Sequence, residues 1–217
     1  MTSKVSLSRP SMAQVAFAVK LLNIKAFSMA TVVSSVCHVH HALSALHTQE
    51  IPMASITFRG SAVSTTGSLP AVGSAAPAFT LVATDLSEAS LPSFAGKKKV
   101  INIFPSLDTG VCATSVRQFH RKLADKGGVV VVNVSADLPF AHKRFCTAES
   151  IEGVANLSTF RAPEFGTAWG VTMTSGPLKG LLSRAVVVLD ENDKVLYAEQ
   201  VPEIAQEPDY DAALKKL

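Results

Sequence analysis

The segment NIFPSLDTGVCATS, residues 102–115, holds two groups that could do chemistry. Asp108, Thr109 and Gly110 spell the DTG tripeptide that surrounds a catalytic carboxylate in aspartic proteases. Cys112 follows where a helix is expected to begin. Aspartate-based proteolysis needs two carboxylates sharing one proton. The chain has a single DTG, set between an apolar run and a helix, so a second copy of the chain would have to supply the other carboxylate. A turn residue that caps the helix or satisfies loop amides is the plainer role for Asp108.

The cysteine has the stronger physical case. A free thiol, with a pKa of about 8.5, is mostly protonated at neutral pH. The unpaired amides and the positive dipole end of a first helical turn stabilise its anion. Thr109 lies in the turn into that helix, where its hydroxyl can donate to a thiolate or to an incoming oxygen. The ring of Pro105, at the end of the preceding apolar run, can shield the sulfur from water. A buried, inert cysteine is the bland alternative. Cys146 offers a second thiol at the end of the next expected helix, with Lys143 and Arg144 one turn away to raise the local positive potential. Two helices flanking one strand can lie on the same sheet face or close across it. The thiols could then exchange between dithiol and disulfide, although two core cysteines fit the spacing as well, since this is not a CxxC pair.

Several elements must position these groups. SITFRGSAVST alternates around Arg59-Gly60 and predicts a small N-terminal β-hairpin. AFTLVATDLSEASLPSF reads as a strand or hairpin turning at residues 85–88. VINIF and VVVVNVSAD are continuous apolar runs, the pattern of strands buried on both faces. Between them, Val111, Ser115 and Phe119 fall on one helical side with Val116 and Leu123 close by, and Gly127-Gly128 are expected to stop the helix. Pro139 starts a second helix, residues 163–169 a short third one, RAVVVLDENDKVLYAEQV a hairpin, and EPDYDAALKKL a closing helix with lysines in its last turn. The expected fold is α/β, with a mixed central sheet flanked by helices.

Composition fits a packed globular protein, with 47% hydrophobic and 17% charged residues among 217. Three cysteines are too few for a disulfide framework. The net charge of +3 sits near the start of the chain, because residues 53–217 carry 16 basic and 16 acidic side chains. That body has no basic stripe with interleaved aromatics, which argues against a nucleic-acid partner.

Residues 1–52 form a separate class, rich in Ala, Ser and Val, with Glu50 their one acid and four of the six histidines. No apolar stretch there is long enough for a membrane span, since Lys20 and Lys25 interrupt it. Three readings stand. The first is a targeting segment directing the protein to a periplasm or organelle. The second is a metal site at residues 37–41, Cys-His-Val-His-His, which lacks a second ligand pair. The third is an addition upstream of a start at Met53: Gln49-Glu50 can be encoded by a purine-rich ribosome-binding sequence, and the protein would then be cytoplasmic. The segment is expected to be disordered, as an extension to one domain at 53–217.

From residue 53 to residue 217 the chain resembles the bacterial thiol peroxidases, atypical 2-Cys peroxiredoxins with a thioredoxin-like fold. The likeness is carried by NIFPSLDTGVCATSVRQF, SADLPFAHKRFC, LSTFR, GPLKGLLSRAVVVLDENDKV and EPDYDAAL, and Pro105, Thr109 and Cys112 meet the Pro-x-x-x-Thr-x-x-Cys pattern. Residues 1–52 match nothing in that family. The resemblance implies that Cys112 is the peroxidatic cysteine, whose thiolate attacks a hydroperoxide and becomes a sulfenic acid. It implies that Thr109 hydrogen-bonds the thiolate and the peroxide. Arg184 would hold the thiolate and stabilise charge on the leaving oxygen, although by itself it reads as a surface salt-bridge residue. Cys146 is the implied resolving cysteine, closing an intrachain disulfide with Cys112. A disulfide needs Cα atoms within roughly 7 Å, so the helix over residues 139–146 is expected to shift or partly unwind. Thioredoxin as reductant and a homodimer are also implied; no haem, flavin or metal cofactor is. Phe140, Phe145, Phe160 and Trp169 could line an apolar approach favouring alkyl hydroperoxides, or pack in the core. The alternative function is a thiol–disulfide sensor or relay using the same two cysteines.

Overall fold

The computed structural model describes residues 55–124 and 126–217. The readings of residues 1–52, including the metal site and the start at Met53, concern residues outside these.

A two-residue turn at Arg59-Gly60, both at positive φ (52° and 78°), joins antiparallel strands β1 (Ser55–Phe58) and β2 (Ser61–Ser64). Positive φ at both positions matches the right-handed twist of a hairpin. Glu203 secures this turn. Its carboxylate accepts from the amides of Arg59 and Gly60, both at 3.0 Å, and from Thr57 Oγ1 at 2.8 Å. The amides of Ala205 and Gly60 above all hold that carboxyl far below the usual range.

The remaining strands form one sheet. They are β3 (Thr80–Ala83), β4 (Glu88–Ser90), β5 (Lys98–Ile103), β6 (Val129–Ser135), β7 (Ala155–Ser158), β8 (Ala185–Leu189) and β9 (Val195–Gln200), in the spatial order β4-β3-β7-β6-β5-β8-β9. β5, β6 and β7 run parallel, while β3, β8 and β9 each pair antiparallel with their inner neighbours. The helices are α1 (Gly110–Leu123), α2 (Pro139–Glu149), α3 (Glu164–Ala168) and α4 (Tyr210–Leu214). This is the mixed, helix-flanked sheet the sequence predicts. No described helix is long and apolar enough to cross a membrane.

The apolar runs are continuous because both sheet faces are covered. Ile101, Ile103, Val132, Val134 and Leu157 face one core with Phe79, Phe165 and Trp169. Val100, Val131, Val186 and Val188 face the other, under Phe119 and Leu123 of α1 and Ala213 of α4. Phe119 meets Tyr210 edge-on at 5.1 Å, which ties α1 to α4. Burying one such phenylalanine is worth about 2–3 kcal/mol.

Four details differ from the sequence reading. β7, Ala-Asn-Leu-Ser, was not expected: it has one large apolar residue, and its pairing with both β6 and β3 makes it a strand. α1 buries Cys112, Ala113, Ser115, Val116, Phe119 and Leu123, so its inner face centres on the cysteine and leaves Val111 part-exposed. α2 continues past Cys146 to Glu149 and ends at Ser150 in the left-handed region, at φ 52°. Lys215 and Lys216 follow α4 instead of lying in its last turn.

Candidate active site

The chain leaves β5 at Ile103 and reaches α1 through residues 104–109. The Phe104 amide still bonds to Val134 O at 3.1 Å, which extends the ladder by one step. Beyond it the loop is clamped by Asp137, just after β6. Its carboxylate accepts from Ser106 Oγ at 2.8 Å, from the Leu107 amide at 2.7 Å and from Ser135 Oγ at 2.7 Å. Asp137 thus satisfies the loop amide that the sequence assigned to Asp108. The Asp108 carboxylate instead meets Arg144 at 3.2 Å on the surface, with both side chains about 70% exposed. That is an ion pair in solvent, not the shared-proton pair that aspartate chemistry requires.

Thr109 is the N-cap residue by backbone geometry, yet its side chain does not cap. Its hydroxyl lies 2.7 Å from Cys112 Sγ and 3.1 Å from Ser106 O. One hydroxyl proton serves one of these at a time, so the bond to sulfur forms when sulfur needs a donor. Cys112 stands in the first turn of α1 with no solvent exposure. Arg184, which alone reads as a surface residue and which the resemblance puts at the site, is 2% exposed. From just ahead of β8 its Nε donates to Ile204 O at 2.9 Å and its Nη2 to Cys112 Sγ at 3.3 Å. Nη1 is buried and has no partner among the described residues. A guanidinium, a hydroxyl and a helix N-terminus therefore converge on one sulfur.

Pro105, Thr109 and Arg184 border a cleft of about 230 Å³, whose other walls include Phe58, Val111, Leu178 and Ile204. Of Phe140, Phe145, Phe160 and Trp169, read from the sequence as lining an approach or packing in the core, none lines this cleft. Trp169 stacks on Phe165 at 5.2 Å in the first core. Phe145 packs by Cys146 beneath the Arg117 guanidinium. Phe140 and Phe160 are 63% and 41% exposed. The walls actually used come from the β1–β2 hairpin and from the loops before β8 and after β9, far apart in sequence, with no local pattern to mark them.

Cys112 and Cys146 are both free thiols and share one apolar cluster with Phe104, Leu107, Val116, Phe145 and Ile151. α1 and α2 thus lie on the same sheet face. Cys146 is half-buried beside Lys143 in a second cleft. Arg144 is drawn away to Asp108, and burial pushes the Cys146 thiol up, partly offset by a hydrogen bond from Asn156. Of the two cations expected near Cys146, Lys143 therefore stays in its cleft and Arg144 does not. Arg117, the nearer arginine in sequence to Cys112, is held by Glu149 at 2.7 Å and links α1 to α2.

A family model described as Redoxin matches residues 71–214. The chain belongs to the redoxin family. It is a peroxiredoxin-type enzyme, an oxidoreductase. It is 56% identical over 165 residues to the thiol peroxidases of Mycobacterium tuberculosis (strain H37Rv) and Mycobacterium bovis, an alignment covering 76% of this chain and 99% of each relative. Among solved structures, a peroxiredoxin-like protein from Aquifex aeolicus matches with a TM-score of 0.71 and 41% identity, over 76% of this chain and 96% of that one. A thiol peroxidase from Chromobacterium violaceum matches with a TM-score of 0.70 and 26% identity, over 74% and 93%. The Redoxin match begins after the β1–β2 hairpin, which in this chain supplies Phe58 to the cleft wall.

Proposed function

We propose that the protein reduces hydroperoxides through Cys112 and is recycled through Cys146. One observation carries the reading: a sulfur in a first helical turn takes donors from Thr109 at 2.7 Å and from a buried Arg184 at 3.3 Å. In the proposed cycle the Cys112 thiolate attacks one peroxide oxygen. The S–O bond forms as the O–O bond breaks, and the departing oxygen takes a proton to leave as water or alcohol. Arg184 Nη1 is the donor left free for that oxygen, and a positioned donor at a developing oxyanion lowers the barrier directly. Cys146 then displaces hydroxide from the sulfenic acid and closes the intrachain disulfide. Thioredoxin as the reductant, and a homodimer as the working unit, enter the proposal from the family resemblance. The mostly apolar cleft favours organic hydroperoxides as substrates.

Thioredoxin-coupled consumption of cumene hydroperoxide tests this. The parent is expected to turn over, Cys112→Ser to be inactive and Cys146→Ser to stall with thioredoxin. Full turnover by Cys112→Ser would overturn the reading. A parent that oxidises once without turning over would point instead to a redox sensor.

A further inference from the structure

A line of buried amides crosses the sheet and ends on Cys146. Asn102, Asn133 and Asn156 are register partners on the adjacent parallel strands β5, β6 and β7. Asn102 and Asn133 have no exposure and Asn156 has 8%. Asn102 Nδ2 donates to Asn133 Oδ1 at 2.9 Å, Asn133 Nδ2 to Asn156 Oδ1 at 3.0 Å, and Asn156 Nδ2 to Cys146 Sγ at 3.2 Å. At the other end Asn102 Nδ2 also reaches Ser115 Oγ, a long contact at 3.4 Å, and Ser115 bonds back to Cys112 O at 2.9 Å. Asn102 Oδ1 is left without a partner among the described residues.

Such a ladder is costly as mere packing. Three amides lose water in the middle of a sheet where valine or leucine would fit, and one acceptor stays unsatisfied. Every amide is oriented alike, so the row delivers one fixed N–H, and its recipient is a thiol. The same face holds Cys112, so both sulfurs are referenced to one rigid row.

We propose that Asn156 is a positioning residue for Cys146, held by the asparagine ladder so that its N–H favours the ionised sulfur. The inference rests on Cys146 being the resolving cysteine. In that step Cys146 loses its proton and its thiolate attacks the sulfenic sulfur of Cys112. The S–S bond forms, the S–O bond breaks, and hydroxide leaves to be protonated to water. An N–H on the sulfur opposes the burial that raises this thiol. Other charges are near. Lys143 and Glu152 line the same cleft, Asp85 lies beside its Thr84 wall within the influence of Lys143, and Arg117 of α1 is engaged by Glu149. Among the described residues none of these hydrogen-bonds the sulfur, and Asn156 does.

The test uses the full chain with Asn156→Ala and Asn156→Asp. The aspartate is nearly isosteric and can still accept from Asn133, but it presents an acceptor to sulfur where the parent has a donor. Two readouts are taken against pH. One is peptide-resolved alkylation of Cys146 in a Cys112→Ser background; the other is the rate of disulfide closure after one equivalent of peroxide. Both midpoints are expected to move to higher pH in both variants, with closure near neutral pH slowed on the order of tenfold, as loss of a hydrogen bond to a charged group predicts. Peroxide consumption in the first turnover should stay at the parental rate. Parental midpoints in both variants would overturn the inference. If the parent itself forms no Cys112–Cys146 disulfide, the resolving role fails instead, and mass mapping of the oxidised parent separates the two failures.

Discussion

Arg184→Met tests the site most directly. The guanidinium is buried between two anchors, Ile204 O at 2.9 Å and Cys112 Sγ at 3.3 Å. At the second distance, with an effective dielectric of about 20, unit charges attract by about 5 kcal/mol. Desolvating a buried arginine offsets much of that, and hydrogen bonds to charged groups are worth about 1.5–3 kcal/mol net. Losing one corresponds to roughly 10- to 100-fold in rate. The free Nη1 faces no partner in the resting site; losing it as a donor to the departing oxygen extends the deficit toward about 1,000-fold. Methionine keeps most of the stem volume, so the structural cost is confined to the stranded Ile204 carbonyl, about 1 kcal/mol, partly repaid by removing a buried charge.

The assay is single-turnover oxidation of Cys112 by cumene hydroperoxide, followed by stopped flow, beside a thermal melt. Arg184→Met should lose two to three decades in the second-order rate constant, about 100- to 1,000-fold, while melting near the parent. Arg184→Lys keeps the charge without the planar fork and cannot reach both anchors, so an intermediate loss is expected. A parental rate in Arg184→Met would refute the reasoning, because among the described residues no other cation hydrogen-bonds that sulfur. A melt lowered far below the parent would assign the arginine a structural role instead.

Two further outcomes follow from the structure. His142 is buried, with Nε2 on Ser135 Oγ at 3.0 Å, and burial lowers its pKa from the ordinary 6.5 to about 4, with Asp137 opposing. The unfolded imidazole takes up a proton that the folded one refuses. Stability is therefore intact above pH 6.5 and falls as pH drops from 6.5 toward 4, by up to about 3 kcal/mol. His142→Met should flatten that acid limb of melting temperature against pH, and parallel curves would count against it. In the proposed cycle α2 must loosen for Cys146 to reach Cys112, so amide exchange over residues 139–149 should be faster in the oxidised protein than in the reduced one; identical protection would remove the need for movement.

Much of this was legible in the sequence because the signals are local. VINIF and VVVVNVS lie buried on both faces as continuous apolar runs do, and a Thr-x-x-Cys at a helix start brings hydroxyl and sulfur together through helical spacing alone. The differences that bear on the site are non-local. Arg184 reads as a surface residue because nothing nearby in the chain neutralises it; its partners are Cys112 and the Ile204 carbonyl, which only tertiary packing supplies. β7 hides because Ala-Asn-Leu-Ser has no strand pattern of its own, and Asn156 within it looks like a loop residue until the register sets it beside Asn133. Asp137 took the role read into Asp108 because the end of a parallel neighbour strand lies closer to the loop amides than the loop's own carboxylate. The choice between approach and core for the four aromatics was open for the same reason: packing against distant elements put Trp169 and Phe145 in apolar clusters and other side chains on the cleft.

The two sulfurs differ in how firmly they are held, and that difference decides which one must travel. Cys112 is fixed by Thr109, by Arg184 and by a helix that buries six of its fourteen residues. α2 buries only Pro139 and His142 of eleven, leaves Phe140 63% exposed, and closes at a serine in the left-handed region, a conformation that costs roughly 1 kcal/mol outside glycine. Its other ties are the packing of part-buried Phe145 and Cys146 on Phe104, Leu107, Val116 and Ile151, and a few polar contacts: Arg144 to Asp108, the two-bond pair of Glu149 with Arg117, His142 to Ser135 and Asn156 to Cys146. Exposed ion pairs contribute at most about 1 kcal/mol each, so a helix held this way opens at low cost compared with global unfolding. Opening α1 would instead expose Phe119, Leu123 and Val116 and dissolve the peroxide site. The fold therefore keeps the proposed attacking sulfur on the rigid element and places the proposed resolving sulfur on the one that can let go. The asparagine ladder fits this division, since it holds Cys146 by its side chain alone and leaves the α2 backbone free to move.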